Sequence, residues 1–447
     1  MLSLDDALNR AQSLVDAARK AGADAADAIY SCDASAGVSV RLGALEDFEQ
    51  SESEHIGLRV FIGRRSATVS SSDLAPRTLS TLVERVIAMA REAPEDAYAG
   101  LAPEDRLMHG ALPDLDIDDH AEPDMAALKA AALAVEDAAR AVAGVTNSEG
   151  GGAGHGRARM ALVTSHGFAG AYGGASHSLW ASVLAGEGAD MQRDHASHSV
   201  RYLSDLEDAG TIGTRAGNRA VARLNPRRVP SGAMPIVFDP RVGGSLIGHL
   251  LGAMTGPAVT RKASYLLDRK GERVLPAGLH VVDDPLRRRG VRSRPFDGEG
   301  LPTRAMRLID DGVLVDWLLD SASARQLGLA PTGHATRGGG SPGAGATNVH
   351  LEGGRGSRDD LIAGITQGLY VTELIGHGVN GVTGDYSRGA SGFLIEDGKL
   401  GPAIAEVTIA GNLKDMLLNL SAADDLAFRY AVNVPTLRVD GMTVAGE

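Results

Sequence analysis

The feature that most constrains this sequence is the order of its periodic segments. Residues 4–18 carry apolar side chains at helical spacing, and Ser3 with Asp6 matches a capping box at the start of that helix. Segments within 38–69 then alternate apolar and polar residues, the period-two pattern of half-buried antiparallel strands. A second helix is predicted after Asp73. This part of the chain is therefore expected to pack helices on an antiparallel sheet.

The same order of segments occurs again after the acidic stretch 112–124. An alanine-rich helix is predicted over 125–142, glycine-interrupted strands between 157 and 202, and a closing helix over 206–224. The two sets are offset by roughly 120 residues, and a repeated plan of this kind indicates an internal duplication. The sequence thus predicts an α+β region built from two related halves.

The sequence pattern changes from Pro235 onward, where strand patterns dominate. PIVFDP (235–240) reads as a short buried strand and precedes a helix-like segment over 242–254. The hairpin signals DDG and EDG follow at 310–312 and 396–398, and a short helix is predicted at Asn412–Leu420. We therefore expect an α+β chain with a mainly β C-terminal part, divided into domains 1–111, 112–225 and 226–447.

Composition excludes several classes of function. Asp and Glu number 57 against 44 Lys and Arg, giving a net charge of −13, which argues against general binding to nucleic acid or anionic membranes. Cys32 is the only cysteine, so one chain forms no disulfide and no zinc ribbon. No run approaches the roughly 18 apolar residues of a transmembrane helix, and the N-terminus lacks the basic flank of a signal peptide. We expect a soluble cytoplasmic protein.

Four short patterns are interpreted as structural rather than functional. GHGVNG (376–381) lacks the strand and helix of a dinucleotide fingerprint, and GGSPG (339–343) reads as a glycine loop rather than a nucleophile elbow. His195 and His198 would face opposite sides of a strand, which is poor geometry for one metal. The arginines of 287–294 are interpreted as a solvated face or a partner contact.

The densest chemistry lies between residues 376 and 413. Asp385, Tyr386, Ser387 and Arg388 stand between glycines in a predicted loop, Gly384–Gly389, and Asn412 flanks the closing helix. Asp385 and Arg388 could pair there. One interpretation is a groove or partner surface, to which small residues allow close approach. The alternative, left open by the sequence, is a tight β domain whose turns need glycine.

In these segments the chain resembles the TldD/PmbA family, also labelled modulators of DNA gyrase, and within it the PmbA (TldE) branch. The match runs over nearly the whole length. Its most specific stretches are SLIGHLLGAMTGPAVTRKASYLLDRKGERV (245–274), DDP (283–285), GVNGVTGDYSRGASGFLIEDG (378–398) and EVTIAGNL (406–413).

The resemblance implies a cytosolic zinc metalloprotease complex that acts on peptides or unfolded segments, with 226–447 as the metalloprotease-like domain. In that family the TldD-like subunit carries H-E-x-x-x-H on a helix and a later cysteine ligand. The corresponding positions here are Gly248, His249 and Ala253, and the C-terminal stretch has no cysteine. We therefore expect no catalytic, cofactor or metal-binding residue in this chain, with zinc held by its partner.

The partner implied by the resemblance is a TldD-like catalytic subunit in a heterodimer, with a homodimer as a further arrangement. The ligand would be an extended peptide, and the cleft or partner contacts would be Asp385, Tyr386, Ser387, Arg388 and Asn412. Two other classes of function stay open at this point. One is a self-sufficient peptidase that uses unrecognised groups, and the other is a non-catalytic peptide-binding or scaffold protein.

Overall fold

The computed structural model describes residues 1–446, apart from the side chain of Ala189. Its first half follows the predicted order of helices and strands. The elements are α1 Leu4–Lys20, β1 Ala25–Arg41, β2 Ala44–Ile62, β3 Arg65–Ser71, α2 Pro76–Glu92, α3 Met125–Arg140, β4 Val145–Thr164, β5 Ala169–Ala185, β6 Gln192–Val200 and α4 Ala209–Ala222.

A single antiparallel sheet joins the two halves of this region. Its strand order is β3-β2-β1-β4-β5-β6, so each half contributes three consecutive strands and the halves meet where β1 pairs with β4. That ladder runs from Asp27 opposite Thr164 to Val40 opposite Gly151. The helix–strands–helix plan therefore does occur twice, as the sequence predicts, but the two copies share one sheet.

The sheet is covered on both faces. Tyr30 and Ala28 of β1 pack with α1 and α2, and Val38 and Val40 of the same strand pack with α3 and α4, so the four helices lie on one face. Ile29 points the other way, into a cluster with Phe296 of the C-terminal part. The C-terminal part therefore covers the opposite face.

The predicted acidic linker and the predicted basic patch meet in the structure. Residues 112–124 contain no helix or strand, and Asp116 accepts a hydrogen bond from Arg289 Nε at 2.8 Å. Arg289 also bonds Asp205 at 2.9 Å and stacks on the ring of Tyr202. Arg288 approaches Asp116 at 3.2 Å. Both side chains are exposed, as expected for a solvated face, and the structure adds that they pair with carboxylates within the chain.

The C-terminal part is β-rich with short helices, and the α+β fold class is thereby confirmed. Its elements are β7 Gly232–Phe238, α5 Pro240–Ala253, α6 Gly256–Thr260, β8 His280–Asp283, β9 Met306–Asp310, β10 Val313–Leu314, α7 Ser321–Leu327, β11 Ala335–Thr336, β12 Gly343–Ala344, β13 Val349–Glu352, α8 Arg358–Ala363, β14 Gln367–Val379, β15 Asp385–Glu396, β16 Lys399–Asn412, α9 Leu413–Leu418, β17 Leu420–Ala422, β18 Val432–Asn433 and β19 Leu437–Ala445.

One sheet of the C-terminal part closes on itself. Its order is β16-β15-β14-β7-β19-β17, and β16 also pairs with β19 through Thr408 opposite Ala445, which joins the two sides into a small barrel. A second sheet has the order β10-β9-β8-β13-β18. Leu246 and Ile247 of α5 pack into the large apolar core of this part. No helix within residues 1–446 has the length and apolar character needed to cross a bilayer.

Candidate functional site

Helix α5 leaves the barrel directly after β7, and its first turn is fixed by Asp239. That side chain accepts a hydrogen bond from the backbone N–H of Arg241 at 3.0 Å, and Pro240 occupies the first helical turn, where a missing N–H costs nothing. The phenol of Tyr370 on β14 donates to the other Asp239 oxygen at 3.0 Å. The N-terminal end of α5 is therefore tied to the strands beneath it.

One face of α5 is left free of packing. Gly248 and Gly252 are exposed, and a Cβ atom added to either would meet no heavy atom within 4 Å. They are four residues apart and so lie on the same side of the helix. His249, beside them, is partly buried and faces β15.

Tyr386 on β15 is the neighbour of His249. The two rings meet edge to face, with 6.1 Å between centroids and 74° between planes. Tyr386 is only 2% exposed and belongs to the large C-terminal core. Since side chains alternate along a strand, Arg388 shares the face of Tyr386, and Asp385 and Ser387 lie on the other face.

Three polar atoms in this cluster are buried without a hydrogen-bond partner among the described residues. They are His249 Nε2, the Tyr386 hydroxyl and Arg388 Nε. Buried polar groups are nearly always paired, so three unpartnered atoms close together indicate a place built for something outside the chain. We call His249, Tyr386 and Arg388 the donor cluster.

Electrostatics make the donor cluster rich in hydrogen-bond donors. Burial, and then the nearby charge of Arg388, lowers the pKa of His249, so its ring is neutral at neutral pH. Burial raises the pKa of the Tyr386 hydroxyl to about 12, so it keeps its proton. A guanidinium, a phenol and an imidazole can together bind a carbonyl oxygen or a carboxylate, whereas a metal cation would be repelled by Arg388.

The motif positions do not fit a zinc site. Gly248 has no side chain, and Ala253, at the end of α5, is 6% exposed and packs in the core. His249 could supply only one nitrogen ligand to a metal, and the positive charge of Arg388 acts on it. Across residues 1–446 no three His, Cys, Asp or Glu side chains are grouped so as to hold a metal, although a catalytic zinc needs three protein ligands. That the purified chain holds no zinc remains a prediction.

Asp385 and Asn412 are brought together at the end of the β14–β15 hairpin. Asn412 Nδ2 donates to Asp385 Oδ1 and to the Thr383 carbonyl, both at 3.1 Å, while Asn412 Oδ1 caps α9 by accepting from Lys414 N at 3.1 Å. The Thr383 hydroxyl donates to Asp385 Oδ2 at 2.6 Å. Hydrogen bonds from Thr383 and then Asn412 lower the pKa of Asp385. These bonds hold the hairpin tip on the start of α9.

Two expectations for this segment are wrong. Residues 385–389 are not a loop, because Asp385–Glu396 forms β15 between β14 and β16. Asp385 and Arg388 do not pair, because residues three apart on a strand point to opposite faces. The side chain of Tyr386 is buried, whereas that of Ser387 is exposed to solvent. The contact of His249 with Tyr386 was missed, and period-two alternation through 385–388 was the signal that could have revealed it.

Other motifs stay apart from the donor cluster. The GGSPG segment (339–343) packs on the first sheet, where Ser341 Oγ lies 3.1 Å from Thr68 Oγ1. Gly57 allows this approach, because a Cβ there would lie 2.4 Å from the Gly339 carbonyl oxygen. His195 and His198 approach different carboxylates, Asp194 at 3.9 Å and Glu207 at 4.0 Å.

A free strand edge lies next to the donor cluster. β14 pairs with β7 only from Leu369 to Val371, whereas its pairing with β15 continues to Val379. Along residues 372–379 no described strand pairs with the other edge of β14. Ile375 in this stretch is 58% exposed. A protruding hairpin with an open edge and an exposed apolar side chain is a surface on which an extended segment can add as a strand.

Comparison with known proteins assigns the family. Three family models match, the PmbA/TldA metallopeptidase domain 1 at residues 26–90, the central domain at 113–224 and the C-terminal domain at 231–446. The protein "Metalloprotease PmbA" of Escherichia coli O157:H7 is 37% identical over 95% of this chain and 93% of its own length. The chain belongs to the PmbA/TldD metallopeptidase family. A PmbA homolog of Haemophilus influenzae is 34% identical over 97% of the chain and 94% of its own length.

Solved structures share the fold over the whole chain. The crystal structure of a "putative modulator of DNA gyrase" from Bacteroides thetaiotaomicron superposes with a TM-score of 0.91 at 28% identity and covers 100% of both chains. TldE from Thermococcus kodakarensis superposes with a TM-score of 0.86 at 22% identity, over 98% of this chain and 100% of its own. The second likeness concerns the fold alone.

Proposed function

We propose that this chain is the non-zinc-binding subunit of a cytoplasmic TldD/TldE-type peptidase complex and that it shapes the cleft for an extended peptide. The observation that carries the proposal is the donor cluster on α5 and β15. By the family resemblance, its His249 corresponds to the glutamate of the catalytic motif and Gly248 and Ala253 to the ligand positions, while Arg388 acts electrostatically on His249. Hydrolysis would then take place at the zinc of a TldD-like partner.

The open edge of β14 is the proposed docking line for substrate. Main-chain hydrogen bonds to residues 372–379 would bind a peptide with little regard to its sequence, since every residue carries the same backbone groups. Tyr386 pairs with Val379 at the far end of this hairpin. A peptide carbonyl or terminal carboxylate at the donor cluster would meet the partly exposed side chains of His249 and Arg388.

The function is tested by comparing the chain alone, a TldD-like subunit alone and their mixture. An unstructured peptide should be cleaved efficiently only by the mixture, and mutation of the partner's motif glutamate should abolish all cleavage. Cleavage by this chain alone would identify a self-sufficient peptidase and overturn the proposal. Peptide binding without cleavage in an otherwise active mixture would identify a scaffold instead.

Arg388 offers a sharper version of the test. Arg388→Ala should lower turnover or partner association by roughly tenfold to a hundredfold, the scale of one lost charge-assisted hydrogen bond. The matched control is Arg85→Ala, since Arg85 is an exposed arginine of α2 without an ion pair among the described residues. Equal turnover in the two variants would remove Arg388 from the proposed cleft.

A further inference from the structure

A second polar site lies between the first sheet and the C-terminal part, away from the donor cluster. A cavity of about 460 Å³ opens there between β1, β4 and β5 on one side and residues 292–298 and 336–347 on the other. None of its lining residues belongs to α5 or to β14–β16. Its volume lies within the usual range of small-molecule sites, about 300–1,000 Å³.

Five arginines line this cavity in a chain whose net charge is −13. They are Arg159, Arg201, Arg292, Arg294 and Arg337. Arg337 is paired, since its Nη2 lies 2.6 Å from Asp27. The other four form no ion pair with any carboxylate of the described residues, although Asp33 also lines the cavity. Elsewhere at this interface, Arg289 is paired with two carboxylates.

The hydrogen bonds of these four arginines leave donors unused. Arg201 donates to three backbone carbonyls, from Nη1 to Ala175 O at 2.9 Å, from Nε to Gly290 O at 3.3 Å and from Nη2 to Val291 O. Arg159 donates from Nη1 to Leu2 O at 2.6 Å. Arg294 reaches only Gly345 O, at 3.5 Å, and its Nε is buried with no partner in the described chain. The guanidinium of Arg292 makes no hydrogen bond to another described residue.

The walls bring these charges close to one another. The charges of Arg294 and Arg201 both act on the phenol of Tyr172, whose pKa burial nevertheless raises. Tyr172 is fixed edge-on against Phe296, at 5.3 Å between ring centroids. Burial lowers the pKa of Arg201, which is the expected cost of a buried cation without a counter-charge. An anion in the cavity would supply that counter-charge.

We propose that this cavity binds a small multivalent oxyanion, either phosphate-bearing or polycarboxylate. Planar guanidinium groups bind both kinds of oxygen ligand in a bidentate manner. The cavity is bounded by both the first sheet and the C-terminal part, so the bound anion would link them. This site is independent of the proposed peptidase role, since its residues differ from those of the cleft.

Calorimetric titration of the full-length chain tests the site with pyrophosphate, with citrate and with chloride as a control. We expect saturable binding of one pyrophosphate or one citrate per chain, together with a rise in unfolding temperature, because a ligand that binds the folded state stabilises it. Pyrophosphate binding would identify the phosphate source and citrate binding the carboxylate source. Failure of both to bind at millimolar concentration would overturn the proposal.

Variants assign the binding to the arginines. Arg292→Gln and Arg294→Gln should each weaken binding by about tenfold, as expected for losing one charge-assisted contact. Arg85→Gln, the same change on exposed α2, should leave the affinity unchanged. Arg292 is exposed and makes no side-chain hydrogen bond, so its variant keeps the fold, which thermal unfolding without anion verifies. Equal affinities in all three variants would place the anion elsewhere and refute the assignment.

Discussion

His249 and Tyr386 meet edge to face across the gap between α5 and β15, with ring centroids 6.1 Å apart. The contact fixes both rings yet leaves His249 Nε2 and the Tyr386 hydroxyl without hydrogen-bond partners in the described chain. A pair of this kind costs stability in the isolated chain, because buried donors have lost water and gained nothing in return. Function, rather than folding, is the reason to keep both groups.

Removing the Tyr386 hydroxyl should therefore be harmless to the fold. We expect Tyr386→Phe to leave the free energy of unfolding unchanged or to raise it by up to about 1 kcal/mol. Tyr370→Phe is the matched control, and it should lower stability by about 1 kcal/mol, since Tyr370 donates to Asp239 at 3.0 Å. Urea unfolding of both variants makes the measurement. Equal losses would mean that the Tyr386 hydroxyl is paired in solution.

The open face of α5 predicts that Gly248 can be replaced without strain. Gly248→Ala should raise the unfolding free energy by about 0.5–1 kcal/mol, because alanine favours a helix and its Cβ meets nothing within 4 Å. Gly213→Ala in α4 should destabilise by about 1–3 kcal/mol, since its Cβ would lie 2.3 Å from the Val135 carbonyl oxygen. Chemical denaturation compares the two. A loss in Gly248→Ala would show that this face is packed in the isolated chain.

His249 should make stability depend on pH. Its folded pKa is lowered from 6.5 by burial and by Arg388, so below about pH 6.5 the unfolded chain takes up a proton that the folded chain resists. Stability should therefore fall as the pH drops below that value, by at most about 1.4 kcal/mol per pH unit. His249→Leu should flatten the fall. His109→Leu, which removes an exposed histidine, is the control, and identical slopes in both variants would contradict the prediction.

Neutralising Asp27 should lower the free energy of unfolding far more than neutralising an exposed carboxylate. Burial alone would raise its pKa, but Arg337 and Arg59 reverse the effect and lower it, with contacts of 2.6 and 2.5 Å. Asp27→Asn should cost about 3–5 kcal/mol of unfolding free energy, because buried Arg337 loses the carboxylate it pairs with and Arg59 keeps only Glu299, at 3.7 Å. Glu272→Gln, which breaks the exposed pair with Arg269, should cost less than about 1 kcal/mol. Similar losses would mean that the Asp27 network is hydrated.

Local periodicity was enough for the helices and for the α+β class. α1 and α2 lie where apolar residues recur at helical spacing, and the cap of Ser3 on Asp6 N is present at 3.1 Å. These features depend on neighbours a few residues apart, which a sequence displays directly. The repeated plan was visible for the same reason.

The pairing of strands that lie far apart in the sequence could not be predicted from local periodicity. The ladder of Asp27 with Thr164 depends on which strands meet, and alternating patterns alone do not specify partners. Glycines around 384–389 suggested a loop, because glycine marks turns, but here they lie in and beside β15, between two strands. The arginine cavity draws on residues from Arg159 to Arg337, and their proximity is a property of the fold alone.

The pairing of β1 with β4 determines where this protein can be divided into fragments. Dividing the chain within residues 112–124 would interrupt no helix or strand. Yet each fragment would then expose the backbone edge that runs from Asp27 to Val40 or from Gly151 to Thr164. Bare edges of this length recruit other strands, so separately expressed halves should aggregate or pair with their own copies. Truncation studies of this protein should keep residues 1–225 as one piece.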